Sequence, residues 1–281
     1  MKKILFPILL LFVLSVFGQS SKESDSATIR EIYNNALTNG KSYDWLAHLS
    51  NNIGGRLSGS YNAQRAVDYT KKELDSLGLD KVWLQEIRVP FWERGETERL
   101  DFLSNSNEFY TSTCTALGGS IGTDKQVISG EIIEINSWKE MKELGTDHIK
   151  GKFVFYNRPM NPTYISTFQS YGNCVDQRHK GAERASEFGA IGVIVRSMTM
   201  RLDNNPHTGS MSYSDTLPKI PAVAISTVDA HNLSEILKKD TKTKALMKLS
   251  CQTHPDTISY NVIGEIKGSE YPEKIIVVGG H

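Results

Sequence analysis

The sequence predicts an α/β fold, a mixed β-sheet flanked by helices, and three observations support this. Residues 190–195 and 275–278 are short apolar runs, the second lying between Pro272 and Gly279, as is typical of strands buried on both faces of a sheet. Residues 60–77 instead carry apolar side chains at helical spacing. Residues 81–90 alternate between apolar and polar side chains, which predicts a half-buried strand.

Residues 1–18 are predicted to be a secretory signal peptide. Lys2 and Lys3 precede an apolar run from Ile4 to Phe17, and residues 16–18 are compatible with cleavage. The run has 14 residues, fewer than the roughly 20 that a membrane-spanning helix needs. We therefore expect a secreted or periplasmic protein with no membrane span after cleavage, and an uncleaved anchor is the alternative.

The composition predicts a globular protein with no affinity for nucleic acid. Of the 281 residues, 39% are hydrophobic, which is enough for a core. The 32 Lys and Arg residues balance the 32 Asp and Glu residues, so no basic surface is indicated. Cys114, Cys174 and Cys251 are an odd number of cysteines without the spacing of a zinc ribbon, so at least one thiol is expected to stay free.

The first segment, residues 27–120, combines helices with strands. The helices are predicted at residues 29–37, 42–51 and 60–77, and the strands at 81–90, 98–103 and 108–117. Arg56 lies in the loop 54–59, where it either braces the loop or is solvated.

A glycine cluster at residues 118–122 is predicted to be a hinge between domains. It also matches the Gly-x-Ser-x-Gly pattern of serine hydrolases, with Ser120 as the nucleophile. That motif requires a helix directly after the serine, whereas an alternating stretch begins at Val127. The context therefore argues against a serine nucleophile.

The second segment, residues 125–255, is predicted to be a self-contained α+β block. Its strands are predicted at residues 127–135, 152–156, 190–195, 222–225 and 245–249, and its helices at 138–144, 175–188 and 228–238. The third segment, residues 256–281, returns to the first sheet with strands at 258–266 and 275–278.

Two histidines are candidate site residues. His281 follows the apolar run 275–278 and two glycines, at the carboxyl end of a predicted strand, where it could be a first metal ligand or an ordinary histidine. His207 lies in the long loop 202–217, where it either contacts substrate or makes a structural hydrogen bond. Asp176 and His179, three residues apart on a predicted helix, are interpreted as a solvated pair.

Six blocks of sequence resemble one protein family. They are residues 54–59 (GGRLSG), 115–123 (TALGGSIGT), 196–199 (RSMT), 206–210 (PHTGS), 219–222 (KIPA) and 259–281, which ends in GGH. In this order they resemble the carboxypeptidase Q-like di-zinc exopeptidase family. The resemblance implies a zinc-exopeptidase-type mixed sheet flanked by helices, with residues 125–255 as an inserted α+β protease-associated domain. It also implies that residues 27–120 and 256–281 belong to a peptidase domain that is incomplete here.

The same resemblance assigns His281 as a zinc ligand. In the family a bridging Asp, further carboxylates, a second His and the Glu general base all follow this histidine, so no catalytic residue is expected within the chain. Two zinc ions, a peptide substrate and homodimer formation are further implications of the resemblance.

The leading hypothesis is therefore a secreted zinc-dependent exopeptidase that hydrolyses short peptides or dipeptides, present here as an N-terminal fragment that is inactive alone. The alternative is a non-catalytic protease-associated binding protein, if 281 residues is the natural length. A serine hydrolase acting through Ser120 is the third interpretation.

Overall fold

The computed structural model describes residues 24–280, so the predicted signal peptide and His281 lie outside the described residues. The chain divides after Arg56 into two compact units. In the first unit, helix α1 spans residues 24–39, and α2 (Ser42–His48) continues into a π-helical turn, Leu49–Ile53. Arg56 donates to the carbonyl oxygens of Leu49 at 2.6 Å and Gly54 at 2.7 Å, so the interpretation of Arg56 as a loop brace is confirmed.

The second unit contains the remaining helices and all ten described strands. The helices are α3 (Tyr61–Asp75), α4 (Trp138–Ile149), α5 (Thr167–Gly172), α6 (Asp176–His179), α7 (Gly181–Glu187) and α8 (Thr227–Lys239). The strands are β1 (Lys81–Glu93), β2 (Glu98–Leu103), β3 (Phe109–Ser112), β4 (Cys114–Ala116), β5 (Ile128–Ile135), β6 (Phe153–Tyr156), β7 (Gly192–Arg196), β8 (Ala222–Ile225), β9 (Lys244–Leu249) and β10 (Gln252–Glu265). Within residues 24–280, no helix is long and apolar enough to cross a bilayer.

Strands β1 and β10 form a long antiparallel ribbon that packs against α3. The Ser60 side chain caps α3 by accepting a hydrogen bond from the backbone N–H of Ala63 at 3.1 Å. The ribbon register runs from Lys81 opposite Glu265 to Glu93 opposite Gln252 and shifts near Pro90, which cannot donate to the ladder.

The other eight strands form one mixed sheet in the order β3-β2-β9-β5-β6-β7-β8-β4. Strands β5 to β8 run parallel, and the outer pairs are antiparallel. Side chains of β6 alternate between two cores: Phe153 and Phe155 pack with residues of α8, and Val154 and Tyr156 with residues of α4 and α7. The predicted fold class, a mixed sheet flanked by helices, is confirmed.

Strands β3 and β4 lie at opposite edges of this sheet although only Thr113 separates them in sequence. The sheet therefore curves until its two edges come together, because a linker of one residue spans only a few ångströms. The backbone N–H of Thr113 donates to Asp229 of α8 at 2.9 Å, which fixes the crossing point. The prediction of a single strand over residues 108–117 was wrong because this hydrogen bond and the change of edge interrupt it.

The glycine cluster 118–122 does not separate two sheets. Strands β2 to β4 precede it, yet they share the sheet of β5 to β9. Ser120 is fully buried, and a Cβ added at Gly122 would lie 2.6 Å from the carbonyl oxygen of Cys251. The predicted hinge is thus a tightly packed segment. Alternation along β2 predicted a strand but could not identify its partner β9, which pairs Leu249 with Glu98.

Residues 275–278 do not form the predicted buried strand. They have no regular structure, and Ile275, Ile276, Val277 and Val278 are each more than four-fifths exposed. A β-branched run becomes a buried strand only where neighbouring strands supply hydrogen bonds and apolar cover. In the described part of the chain, no strand pairs with this run.

Candidate functional site

The parallel strands β5 to β8 end at a common edge, which is where open α/β sheets bind ligands. Arg196, the last residue of β7, donates to the Oδ1 atom of Asn157 at 3.2 Å, and Asn157 donates to Glu134 at 2.6 Å. Ser234 of α8 donates to Glu134 at 2.8 Å. Burial lowers the pKa of Arg196, and the charge of Glu134 partly opposes this shift. This network fixes the edge against α8.

A second polar network lies beyond the carboxyl end of β6. Arg158 pairs with the carboxylate of Asp176, and the indole N–H of Trp138 donates to the same carboxylate at 2.6 Å. Gln177 donates to the backbone carbonyl of Arg158 at 2.7 Å. Asp176 is therefore engaged by Arg158 and Trp138, whereas His179 is exposed and its carbonyl accepts from the backbone N–H of Ser212. The interpretation of Asp176 and His179 as a solvated pair was therefore wrong, because the carboxylate pairs with Arg158 instead.

A cavity of about 390 Å³ opens at the same edge, beside the segments that follow β6 and β7. Its lining is mainly apolar and contains no carboxylate: Met160, Thr167, Phe168, Tyr171, Met198, Thr199, Met200, Arg201 and His207. Met160 and Met198 also form a small buried cluster with Cys174. Small-molecule sites typically combine such an apolar lining with a few polar groups.

His207 lies at this cavity, where its backbone N–H donates to the side chain of Ser197 at 2.6 Å. Ser197 is buried and its hydroxyl donates to the carbonyl of Ile225 at 2.6 Å. The end of β8 thus positions the loop through Ser197, leaving the imidazole exposed. Contact between His207 and a substrate stays a prediction.

Ser120 has the surroundings of a structural residue. Its hydroxyl accepts from the backbone N–H of Ala222 at 2.9 Å and donates to the carbonyl of Ile121 at 3.0 Å. The side chain has no exposed surface, so a substrate carbonyl could not reach it. This geometry agrees with the argument from sequence against a nucleophile elbow.

Replacing Ser120 with Ala should lower the free energy of unfolding by about 1–3 kcal/mol, because the buried N–H of Ala222 loses its acceptor. Urea denaturation of Ser120→Ala checks this value. The matched control is Ser129→Ala, at an exposed position of β5. Equal effects of the two substitutions, or labelling of Ser120 by a fluorophosphonate, would contradict the structural role.

The three cysteines are free thiols. Cys174 and Cys251 are buried, and Cys114 is partly buried. Burial raises the pKa of Cys114 to about 12, and the charge of Glu98 adds to the shift. Burial also raises the pKa of Cys174 and of Cys251. Because the thiolate is the reactive form, these residues serve packing, and the expectation that at least one thiol stays free is confirmed.

The described residues do not supply a zinc site. Within residues 24–280, no three His, Cys, Asp or Glu side chains come together in a way that could hold a metal ion. The predicted ligand His281 lies outside this range. A single imidazole would in any case leave a catalytic zinc short of the three protein ligands that it normally takes.

Known proteins match this chain in sequence, although no family model matches it. Carboxypeptidase Q from Xenopus laevis is 36% identical over 262 residues, which cover 93% of this chain and 53% of that protein. Human carboxypeptidase Q is 36% identical over 241 residues, covering 86% of this chain and 48% of that protein. The chain is a homologue of carboxypeptidase Q. It spans about half the length of these curated relatives.

Solved structures agree with the homology to carboxypeptidase Q. A peptidase M28 precursor from Shewanella amazonensis SB2B has a TM-score of 0.80 at 32% identity, over 88% of this chain and 55% of that one. BSAP, a zinc aminopeptidase from Bacillus subtilis, has a TM-score of 0.51 at 20% identity, over 81% of this chain and 47% of that one, and shows the fold alone. This carboxypeptidase Q homologue therefore has the M28 peptidase fold.

The cavity of the carboxypeptidase Q homologue could be predicted from sequence at only one of its residues, His207. The others follow β6 and β7 at the carboxyl edge, among them Met160, Met198 and Arg201. The long polar loops after both strands were a signal for the position of the site. Nothing in the sequence indicated that methionines from both loops would meet.

Proposed function

We propose that this chain is the N-terminal part of a secreted or periplasmic zinc-dependent exopeptidase that hydrolyses short peptides or dipeptides. The observation that carries the proposal is the 36% identity to carboxypeptidase Q over 93% of the chain. The 32% identity to a peptidase M28 precursor with a TM-score of 0.80 supports the same function. The apolar run after Lys2 and Lys3 supports export.

Zinc dependence in this proposal rests on the relatives and on the sequence at the end of the chain. His281 would hold one of two zinc ions, and the remaining ligands and the general base would follow it. When bound, such a pair of ions polarises a carbonyl group and supplies an activated water. The residues described here would support that centre: the α3 helix and the β1–β10 ribbon would belong to the peptidase domain.

In this proposal the protease-associated insert is the eight-stranded sheet, so it begins at Glu98 and not at residue 125 as expected from the sequence, because β2 to β4 pair within this sheet. Its strands run from Glu98 in β2 to Leu249 in β9, and the ribbon strands β1 and β10 flank it in sequence. The chain would therefore leave the peptidase domain after β1 and return to it at β10, and these two strands pair with each other. The role of the insert would be to frame the substrate. The protein would also form a homodimer, through the insert or through the peptidase domain.

The decisive experiment compares this chain with the protein translated from its gene beyond the codon of His281. We expect the longer protein to contain zinc by elemental analysis and to hydrolyse unblocked dipeptides in a reaction that 1,10-phenanthroline stops and a serine-directed phosphonate does not. We expect the 281-residue chain to bind zinc weakly and to lack activity, because a lone imidazole lacks oriented partner ligands.

The matched control is His281→Ala in the longer protein, which should lose bound zinc and activity while α3 and both sheets stay folded. A reading frame that stops after His281 would instead favour the non-catalytic binding protein. A longer protein that holds no zinc and cleaves no dipeptide would refute the proposed function.

A further inference from the structure

The cavity at the carboxyl edge has a polar rim, which carries the positive charge of Arg201, and an apolar interior. The guanidinium of Arg201 and the imidazole of His207 both line it. In the described part of the chain, neither side chain has a hydrogen-bond partner or an ion pair. Asp203 lies two residues after Arg201 but does not line the cavity. The rim therefore presents donors that no acceptor within residues 24–280 satisfies.

The interior suits an aliphatic or aromatic side chain. Met160, Met198 and Met200 contribute flexible, polarisable surfaces that adapt to a ligand of irregular shape. Phe168 is 87% exposed at this cavity, and the neighbouring Leu202 is 73% exposed. Large apolar side chains left exposed around a concave site are typical of binding surfaces. The volume of about 390 Å³ falls in the range of about 300–1,000 Å³ for small-ligand sites.

We infer that this cavity binds the C-terminal residue of a short peptide, with the apolar side chain among the three methionines and the carboxylate facing Arg201 and His207. The charge complementarity decides the orientation, because the lining has two nitrogen-bearing donors and no carboxylate. Arginine is well suited to a carboxylate, which it can hold with two parallel hydrogen bonds. The inference rests on the proposed peptidase function and adds a preference for peptides with an apolar C-terminal residue.

The methionines provide a direct test. The chain has seven, of which three line the cavity, and Met141 and Met247 are buried elsewhere as internal references. In protein labelled with [methyl-¹³C]methionine, N-acetyl-leucine should shift the signals of Met160, Met198 and Met200 and leave those of Met141 and Met247 in place. N-acetyl-leucinamide, which lacks the carboxylate, should bind at least about tenfold more weakly, since a charge-assisted hydrogen bond is lost.

Variants separate the contribution of the rim residues to binding from that of the overall charge of the protein. Arg201→Gln should weaken N-acetyl-leucine binding at least about tenfold and should remove the preference for the acid over the amide. His207→Gln should weaken it less. The matched control Lys142→Gln removes one positive charge from an exposed position on α4, away from the cavity, and should leave binding unchanged. Equal binding of the acid and the amide, or no response of the three cavity methionines, would overturn the inference.

This test needs neither zinc nor turnover, so it is independent of the test of function. Binding of N-acetyl-leucine at the cavity of a protein whose longer form has no peptidase activity would refute the proposed function and support the site. Zinc-dependent dipeptide hydrolysis by a longer protein whose cavity methionines do not respond would support the function and refute the site.

Discussion

Phe155→Ala should destabilise the eight-stranded sheet by about 3–5 kcal/mol, the usual cost of removing a buried phenylalanine. Phe155 has no exposed surface and lies in β6, at the centre of the parallel strands. Its ring belongs to the core cluster that includes Ile194 of β7 and Leu233 of α8. Substitution would leave a cavity between the sheet and the helix, because both are held by their own hydrogen bonds and cannot close the gap.

Urea denaturation followed by circular dichroism measures this loss, and Phe109→Ala is the matched control. Phe109 is in β3 of the same sheet but is 54% exposed, so its truncation should have a much smaller effect. Phe155→Leu should retain more than half of the lost stability because less volume is removed. If Phe155→Ala loses no more stability than Phe109→Ala, then Phe155 does not pack in the core between the sheet and α8.

Asp229→Ala should have an effect of similar size, about 3–5 kcal/mol, because several partners lose their acceptor at once. Asp229 is only 1% exposed, and its carboxylate accepts from the hydroxyl of Tyr110 at 2.5 Å, the hydroxyl of Ser112 at 3.1 Å and the backbone N–H of Thr113 at 2.9 Å. Burial, with a contribution from Asp229, raises the pKa of Tyr110. The substitution would detach the start of α8 from β3.

Asp215→Ala is the control for this prediction, since Asp215 is exposed on the loop before β8. Thermal and urea denaturation of both variants gives the comparison. Asp229→Asn should lie between the wild type and Asp229→Ala, because one amide oxygen still accepts while the amide nitrogen faces donors. Wild-type stability in Asp229→Ala would mean that water replaces the carboxylate and that the crossing at Thr113 does not depend on it.

The sequence predicted the strands and helices of this protein better than it predicted their partners. The apolar run 190–195 became the buried strand β7, and the helix predicted at residues 228–238 is α8, which the side chain of Ser226 caps. Partners of β2 and β4 could not be predicted, because local alternation carries no information about which distant strand supplies the hydrogen bonds. The run 275–278 shows the same limit, since its composition fits a buried strand but the described residues provide no neighbour.

The candidate site could likewise be predicted from the sequence only in part. The loop that carries His207 could be recognised from its length and polarity, whereas its meeting with Met160 and Phe168 depends on the parallel order of β6 and β7. The packed state of Ser120 likewise follows from a hydrogen bond to Ala222, about a hundred residues away. Local motifs therefore located His207 as a candidate site residue and argued against Ser120 as a nucleophile. The shape of the cavity, in contrast, could be seen only in the fold.

The position of β9 has a consequence for how the protein is made. This strand sits between β2 and β5, yet the ribosome adds it after all the other strands of the curved sheet. Until Leu249 has emerged, the hairpin of β2 and β3 has no partner on its inner side, while β5 to β8 and their helices can already assemble. The nascent chain must therefore hold an open gap from the synthesis of β5 until that of β9, and pairings this remote in sequence form slowly.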